Sequence, residues 1–130
     1  MNAKSTAMWV GLVILVVGVV GFIPALVPGG KVLGLFLVDP LHNIVHILTG
    51  VLAIFAAKSS ESTVKTYFKV FGVVYALVTV LGFISSGGTG VGTGLFGLLP
   101  VNIYDNLLHL IIAALYLYIG FGGKSSAAKA

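Results

Sequence analysis

The stretch Val38-Asp39-Pro40-Leu41-His42-Asn43-Ile44-Val45-His46 returns 63 residues later as Val101-Asn102-Ile103-Tyr104-Asp105-Asn106-Leu107-Leu108-His109. Val38, Asn43 and His46 recur unchanged as Val101, Asn106 and His109, while Asp39 matches Asn102 and His42 matches Asp105. The correspondence extends upstream through Gly34 and Gly97, so no single residue sets the register. Asp39-Pro40 reads as a helix N-cap followed by proline at the first helical position, where a missing N–H is harmless. Asn102 is the equivalent cap, and each cap precedes an apolar run of helical length. The chain is therefore read as two copies of one helical unit.

Composition says where these units live. Of 130 residues, 58% are hydrophobic and 8% charged, and the mean hydropathy is +1.16, well outside the range of soluble globular domains. The sequence is that of an integral membrane protein with the lipid bilayer as its first partner. Cysteine is absent, which removes disulfides, thiolate metal sites and thiol nucleophiles. The net charge of +4 comes from lysines that flank apolar spans, without arginine or basic-aromatic interleaving, so no nucleic-acid partner is expected.

Working outward from the two motifs gives four predicted spans. The first covers about 8–23, opening at Trp9 and ending at Pro24 and Pro28-Gly29-Gly30. Residues 1–7 form a polar arm with Lys4. A positive start before an apolar run also describes a signal peptide, but the run is read here as a retained helix. Lys31 to Val38 is too short to span and is expected to lie at the interface or fold back on the bundle. The second helix runs over about 40–57, with His42, His46, Thr49 or Gly50, Ala53 and Ala57 on one inward face. Lys58 to Lys65 reads as a solvated loop, and the third helix follows over about 66–85, with Lys65 and Lys69 placed to snorkel. Glycine-rich Ser86 to Gly97 reads as an irregular connection. The fourth helix covers about 103–121, with Tyr116, Tyr118 and Phe121 as an aromatic belt, and residues 122–130 are expected to be a disordered tail.

The fold class is thus an all-α membrane protein: one domain over 8–121, with four transmembrane helices as two parallel-repeat helical hairpins. Lys4, Lys58, Lys65, Lys69, Lys124 and Lys129 belong to the two tails and the middle loop, whereas the other two loops hold only Lys31. The positive-inside rule then places both termini and the middle loop in the cytoplasm, and both motifs at the outer ends of their helices. Gly11 and Gly18 on the first helix, and Gly72, Ala76 and Thr79 on the third, form small-residue stripes that suit close packing. Such stripes serve internal contacts and self-association equally, leaving open a homo-oligomer or a larger membrane complex.

With Leu41-His42-Asn43-Ile44-Val45-His46 in the first half, and Leu99-Pro100-Val101-Asn102 followed by Asp105-Asn106-Leu107-Leu108-His109 in the second, the chain resembles a family of small prokaryotic four-helix membrane proteins of unknown function. The likeness runs from about Gly11 to Phe121. It implies the four-helix fold, a prokaryotic inner membrane and no known activity.

The motifs themselves suggest chemistry. Positions i and i+4 share a helix face, so His42 stacks over His46 and Asp105 over His109. If the second and fourth helices meet, His42, His46, Asp105 and His109 converge. The favoured reading is a structural network with no cofactor, in which Asp105 and the histidines satisfy one another and pin the two helices. The alternative is a ligand set for zinc or another divalent metal, or for a haem or pigment held by His46 and His109. Asn43 and Asn106 lie roughly 100° off the histidine face and are expected to hydrogen-bond a neighbouring helix or loop, at the tail of the first or third helix. A phosphate-binding loop at Ser86 to Gly97 is set aside for want of a lysine and a strand-turn-helix setting. No serine, histidine and acid grouping is suitably spaced and no arginine can hold an anion, so the protein is expected not to be an enzyme. The leading expectation is a small multi-pass structural or accessory subunit of a membrane assembly.

Overall fold

The computed structural model describes residues 2–87, 90–92, 97 and 99–122. Four helices dominate: α1 (Ala3–Val20), α2 (Pro40–Ala57), α3 (Glu61–Ser86) and α4 (Ile103–Phe121). Each has at least 18 residues and is apolar enough to cross a bilayer; at 1.5 Å per residue, 18 residues reach about 27 Å, close to the hydrocarbon thickness. Helices α1 and α2 pack closely as one hairpin and α3 and α4 as another, while the hairpins meet each other more sparsely. The protein is an all-α, four-span membrane protein built from two helical hairpins.

Its solvation pattern is inverted relative to a protein in water. Trp9, Phe55, Ile84, Ile111 and Tyr118 lie on the surface, whereas His42, Asn43, His46, Thr49, Thr79, Asp105, Asn106 and His109 are buried. Lipid provides no hydrogen-bond partners, so polar side chains collect inside and apolar ones face out.

Glycine sets how closely each hairpin closes. A Cβ on Gly50 of α2 would lie 2.6 Å from the Leu15 amide nitrogen and 2.8 Å from the Gly11 carbonyl oxygen of α1. Gly11 in turn abuts Gly50, Ala53 and Ile54, and in the second hairpin Gly72 abuts Leu117. These contacts define the repeat: Gly11 and Gly21 correspond to Gly72 and Gly82, 61 residues on, while the motif helices keep the offset of 63. The difference is absorbed between the helices of a pair. There, the Val38 N–H donates to the Gly30 carbonyl at 3.0 Å in one repeat, and the Val101 N–H donates to the Gly92 carbonyl at 2.9 Å in the other.

Several boundaries differ from the sequence expectation. Helix α1 begins at Ala3, not near Met8, because Asn2 caps it, its side-chain oxygen accepting the Ser5 N–H at 2.8 Å. The described part of the expected arm is therefore cap and first turns, and the helix stops at Val20, short of Ile23. Helix α3 begins at Glu61, not Thr66, because Ser60 accepts the Thr63 N–H at 3.1 Å and Glu61 sits favourably in the first turn. Hydropathy locates the apolar core of a span, but caps decide where the helix starts. Lys65 consequently lies on α3, where its Nζ donates to the Ile119 carbonyl near the end of α4. Tyr116 is not in an interfacial belt: it is fully buried, unlike the exposed Tyr118 and Phe121. Its hydroxyl meets that of Tyr67 at 2.9 Å, and Tyr67 donates to the Thr49 carbonyl at 2.9 Å. A buried phenol needs a partner; Tyr116 finds one on α3, and Tyr67 links on to α2 of the other hairpin.

The connection before α2 folds back. After single 3-10 turns at Pro24–Leu26 and Pro28–Gly30, β1 (Lys31–Val32) pairs antiparallel with β2 (Phe36–Leu37). Gly34, at φ 76°, supplies part of the left-handed turn between them. In the other connection α3 ends on Gly87 in the left-handed conformation, the usual device for stopping a helix. The rest of the expected irregular connection, apart from 90–92 and 97, lies outside the described residues, as does the expected disordered tail beyond Gly122.

Candidate functional site

Both motif helices start as their caps dictate. The Asp39 carboxylate accepts the His42 N–H at 2.8 Å, with Pro40 in the first turn. Asn102 likewise accepts the Asp105 N–H at 3.0 Å, and here the Asp105 carboxylate accepts the Asn102 N–H in return at 2.9 Å, completing a capping box. The hairpin of the first repeat reaches over this second start. Asn102 Nδ2 donates to the Leu35 carbonyl at 2.8 Å, and the Phe36 and Tyr104 rings meet edge to face with centroids 6.5 Å apart.

Three of the four residues expected to converge do so. One potential ligand nitrogen from each of His42, His46 and His109 lies within 4.8 Å of the others. Ring centroids are 4.6 Å apart for His42 and His46, 5.7 Å for His42 and His109, and 6.3 Å for His46 and His109. The i, i+4 pair comes from α2 and the third ring from α4, so the cluster bridges the hairpins. All three are at least nine-tenths buried, at 1%, 6% and 2% exposure respectively. Nδ1 of His46 and of His109 is buried without a hydrogen-bond partner, whereas the backbones of Leu37 and Pro100 lie beside the His42 ring.

The fourth, Asp105, does not offer a ligand oxygen to this group. It was expected to stack over His109, but its carboxylate is held by the capping box instead. An acid at the third helical position reaches its own cap N–H across one turn, and the unsatisfied donors of the helix start favour it there. Among the described residues no hydrogen bond joins Asp105 to a histidine.

The two asparagines dock onto the other helix of their own hairpin. Asn106 Nδ2 donates to Ser86 Oγ at 3.1 Å, and its side chain covers Gly82 of α3. The Asn43 amide covers Gly21 at the end of α1. Any side chain at either glycine would strike the amide, so the glycine and the asparagine form one docking unit used twice.

The sequence reading left out Tyr75 and understated Thr49. With His42, His46 and His109 they line a small, partly enclosed space of about 30 Å³. Thr49 donates to the His46 carbonyl at 3.2 Å, which leaves the Tyr75 hydroxyl, 3.3 Å away, to donate to Thr49. The Tyr75 ring lies 5.8 Å from that of His109. A signal existed: Tyr67 and Tyr75 fall on one α3 face with Val64, Phe68 and Gly72, and hydroxyl-bearing rings facing a bundle interior call for polar partners.

The chain belongs to the family described as Domain of unknown function (DUF4383). That family's model matches residues 4–122, which takes in both motifs and the histidine cluster. No curated protein and no solved structure matches the chain. Membership of a family of unknown function leaves the chemistry to be read from the site. His46 also borders an apolar cleft of about 280 Å³ between α1 and α4, lined by Trp9, Val13, Ile111 and Leu115.

Proposed function

We propose that this membrane protein is a small, non-enzymatic accessory protein that holds a ligand at the junction of its two repeats, near the outer face of a prokaryotic cytoplasmic membrane. The observation that supports this reading is that Nδ1 of His46 and Nδ1 of His109 are both buried without a hydrogen-bond partner. A buried polar atom without a partner disfavours folding by about 1–3 kcal/mol, so histidines kept only to pin α2 to α4 should pair with each other or with Asp105. Here Asp105 is engaged at its cap. The purely structural network therefore has less support than a site awaiting a partner. A non-enzymatic role is favoured because the chain has no arginine and its acid nearest the histidines in sequence, Asp39, already serves a helix start.

The distribution of lysines supports both termini and the middle loop on the cytoplasmic side. Reporter fusions after Lys58 and Ala130 should read cytoplasm and one near Gly90 the outside; agreement between the Gly90 and Ala130 fusions would sink this orientation.

The ligand-site reading is tested by stability in detergent with chelator present. Replacing His46 or His109 with leucine, of similar volume, removes an orphan and should leave the protein as stable or more stable, by up to about 1–3 kcal/mol. A clear loss of stability in both variants would restore the structural network and end this reading.

A further inference from the structure

Resting on the reading of the junction as a ligand site, we infer that its ligand is a divalent first-row transition metal ion, zinc foremost, bound by His42, His46 and His109 with one position left for a small exogenous ligand.

Donor type narrows the choice first. The converging atoms are all imidazole nitrogens, which suit zinc, copper, nickel and cobalt, whereas calcium and magnesium require oxygen ligands. The chain offers no thiolate, and its nearby carboxylates are occupied at helix starts.

Geometry narrows it further. With metal–nitrogen bonds of about 2.0–2.1 Å, tetrahedral ligands sit about 3.3 Å from one another. The three nitrogens already lie within 4.8 Å, and small rotations of the rings about their side-chain bonds close the difference without moving a helix. The adjoining space of about 30 Å³ has room for an ion and a water-sized fourth ligand, since one water needs about 10–15 Å³ by this kind of measure. The His46 and His109 centroids, 6.3 Å apart, have the spacing of two axial ligands, but the space of about 30 Å³ beside the three rings is far too small for a porphyrin. The haem or pigment alternative therefore receives no support from the geometry.

Charge and the surrounding shell fit as well. Three neutral imidazoles leave a dication uncompensated, which is costly in an apolar interior. The chain has three acidic residues in all, and two of them, Asp39 and Asp105, stand in the first turns that carry the cluster. Asp39 is close enough to act electrostatically on His42, and the Leu37 backbone faces both His42 and Asp105. The Asp39 carboxylate beside the site thus offsets part of the ion's charge without binding it. The carbonyls of Leu37 and Pro100 also face His42, placed to receive the N–H of whichever ring nitrogen the metal does not take, the outer-shell contact that fixes a ligating imidazole.

The test uses the full chain purified in detergent without chelator, analysed for metals, then stripped and titrated with cobalt(II) as an optical probe. The expected result is one ion per chain, the strong visible bands of four-coordinate cobalt, and their loss when zinc displaces it. His42→Leu, His46→Leu and His109→Leu should each weaken binding by more than about 100-fold, beyond what loss of an outer-shell partner alone produces. Asp105→Asn should keep the stoichiometry. Helicity and gel filtration establish that each variant is folded. If any variant is not, X-ray absorption on the zinc-loaded wild type decides, with three imidazoles expected and fewer than three overturning the assignment. Failure of the stripped wild type to bind zinc, cobalt, nickel or copper at about micromolar concentration would also overturn it, as would binding that survives all three leucine changes. Either failure leaves the ligand-site reading to its own test, because that test reads the stability of the chelated protein and no metal.

Discussion

The two repeats start their motif helices alike, and the difference that matters most for the site is His42 against Asp105. In the second, Asp105 turns back to its own cap and closes a reciprocal pair with Asn102. In the first, the equivalent His42 leaves Asp39 to cap its N–H and points inward to stack on His46 and approach His109. Each repeat thus spends one carboxylate on its helix start, from the cap position in one case and from one turn inside the helix in the other. Symmetry brings His46 and His109 together at equivalent places. Broken symmetry adds the third imidazole. The repeat builds the scaffold, and the exchange of Asp105 for His42 completes the site.

The hairpins also differ in how tightly they close, and here the largest mutational effect is expected. Gly50 of the first hairpin corresponds to Ala113 of the second, which is buried and already carries a methyl. Because a Cβ at Gly50 would meet backbone atoms of Leu15 and Gly11 that cannot rotate away, Gly50→Ala should destabilise by about 1–3 kcal/mol, toward the upper end of that range. Ala113→Gly should lose about 1 kcal/mol from helix propensity and a lost contact. Reversible unfolding in mixed detergents measures both, and equal losses would mean the hairpins are closed to the same degree.

The asparagine units give the next comparison. Asn106 is fully buried and donates to Ser86, so Asn106→Ala should cost about 1–3 kcal/mol by leaving polar groups unpaired. Asn43 covers the corresponding glycine, but its Oδ1 finds no partner, and Asn43→Ala removes that orphan along with the packing. Its effect should be smaller, within about 1 kcal/mol on the same grounds. A larger loss at Asn43 than at Asn106, by the same unfolding assay, would reverse this ranking and show that packing on Gly21 outweighs the hydrogen bond.

Much of this architecture was legible before any coordinates. Hydropathy is a strong signal when lipid is the solvent, and Asp39-Pro40 and Asn102 announce helix starts by local chemistry alone. The inward face of His42, His46, Thr49 and Ala53 follows from helical spacing. What sequence did not reveal shares a physical cause: competition between neighbours. Asn2 and Ser60 carry their helices past the edge of the apolar run because a cap outweighs hydropathy there. Lys31 to Leu37 forms a hairpin that ties to Asn102, a contact 67 residues away in sequence that no local pattern contains. Asp105 had two partners within one helical turn, the His109 ring and the Asn102 N–H, and spacing alone cannot rank them. Tyr116 looked interfacial because its neighbours are, while its own face of α4 points at Tyr67.

That competition at Asp105 supplies the smallest and most discriminating prediction. If Asp105 serves its cap, Asp105→Asn retains a side-chain oxygen that accepts the Asn102 N–H and loses only the favourable charge at the helix start. Such a charge contributes about 0.3–1 kcal/mol, so the change should fall within about 1 kcal/mol. Asp39→Asn keeps its oxygen for the His42 N–H in the same way and should have an effect of similar size. The two repeats would then respond alike, although the acid stands at different positions in each. Were Asp105 instead the ionic partner of a buried histidine, removing its charge would strand the other group, at about 3–5 kcal/mol, and only the second repeat would suffer. Parallel unfolding curves for the two asparagine variants separate these outcomes. A several-fold larger loss at Asp105 would return it to the histidine cluster and undo the division of labour drawn between His42 and its counterpart.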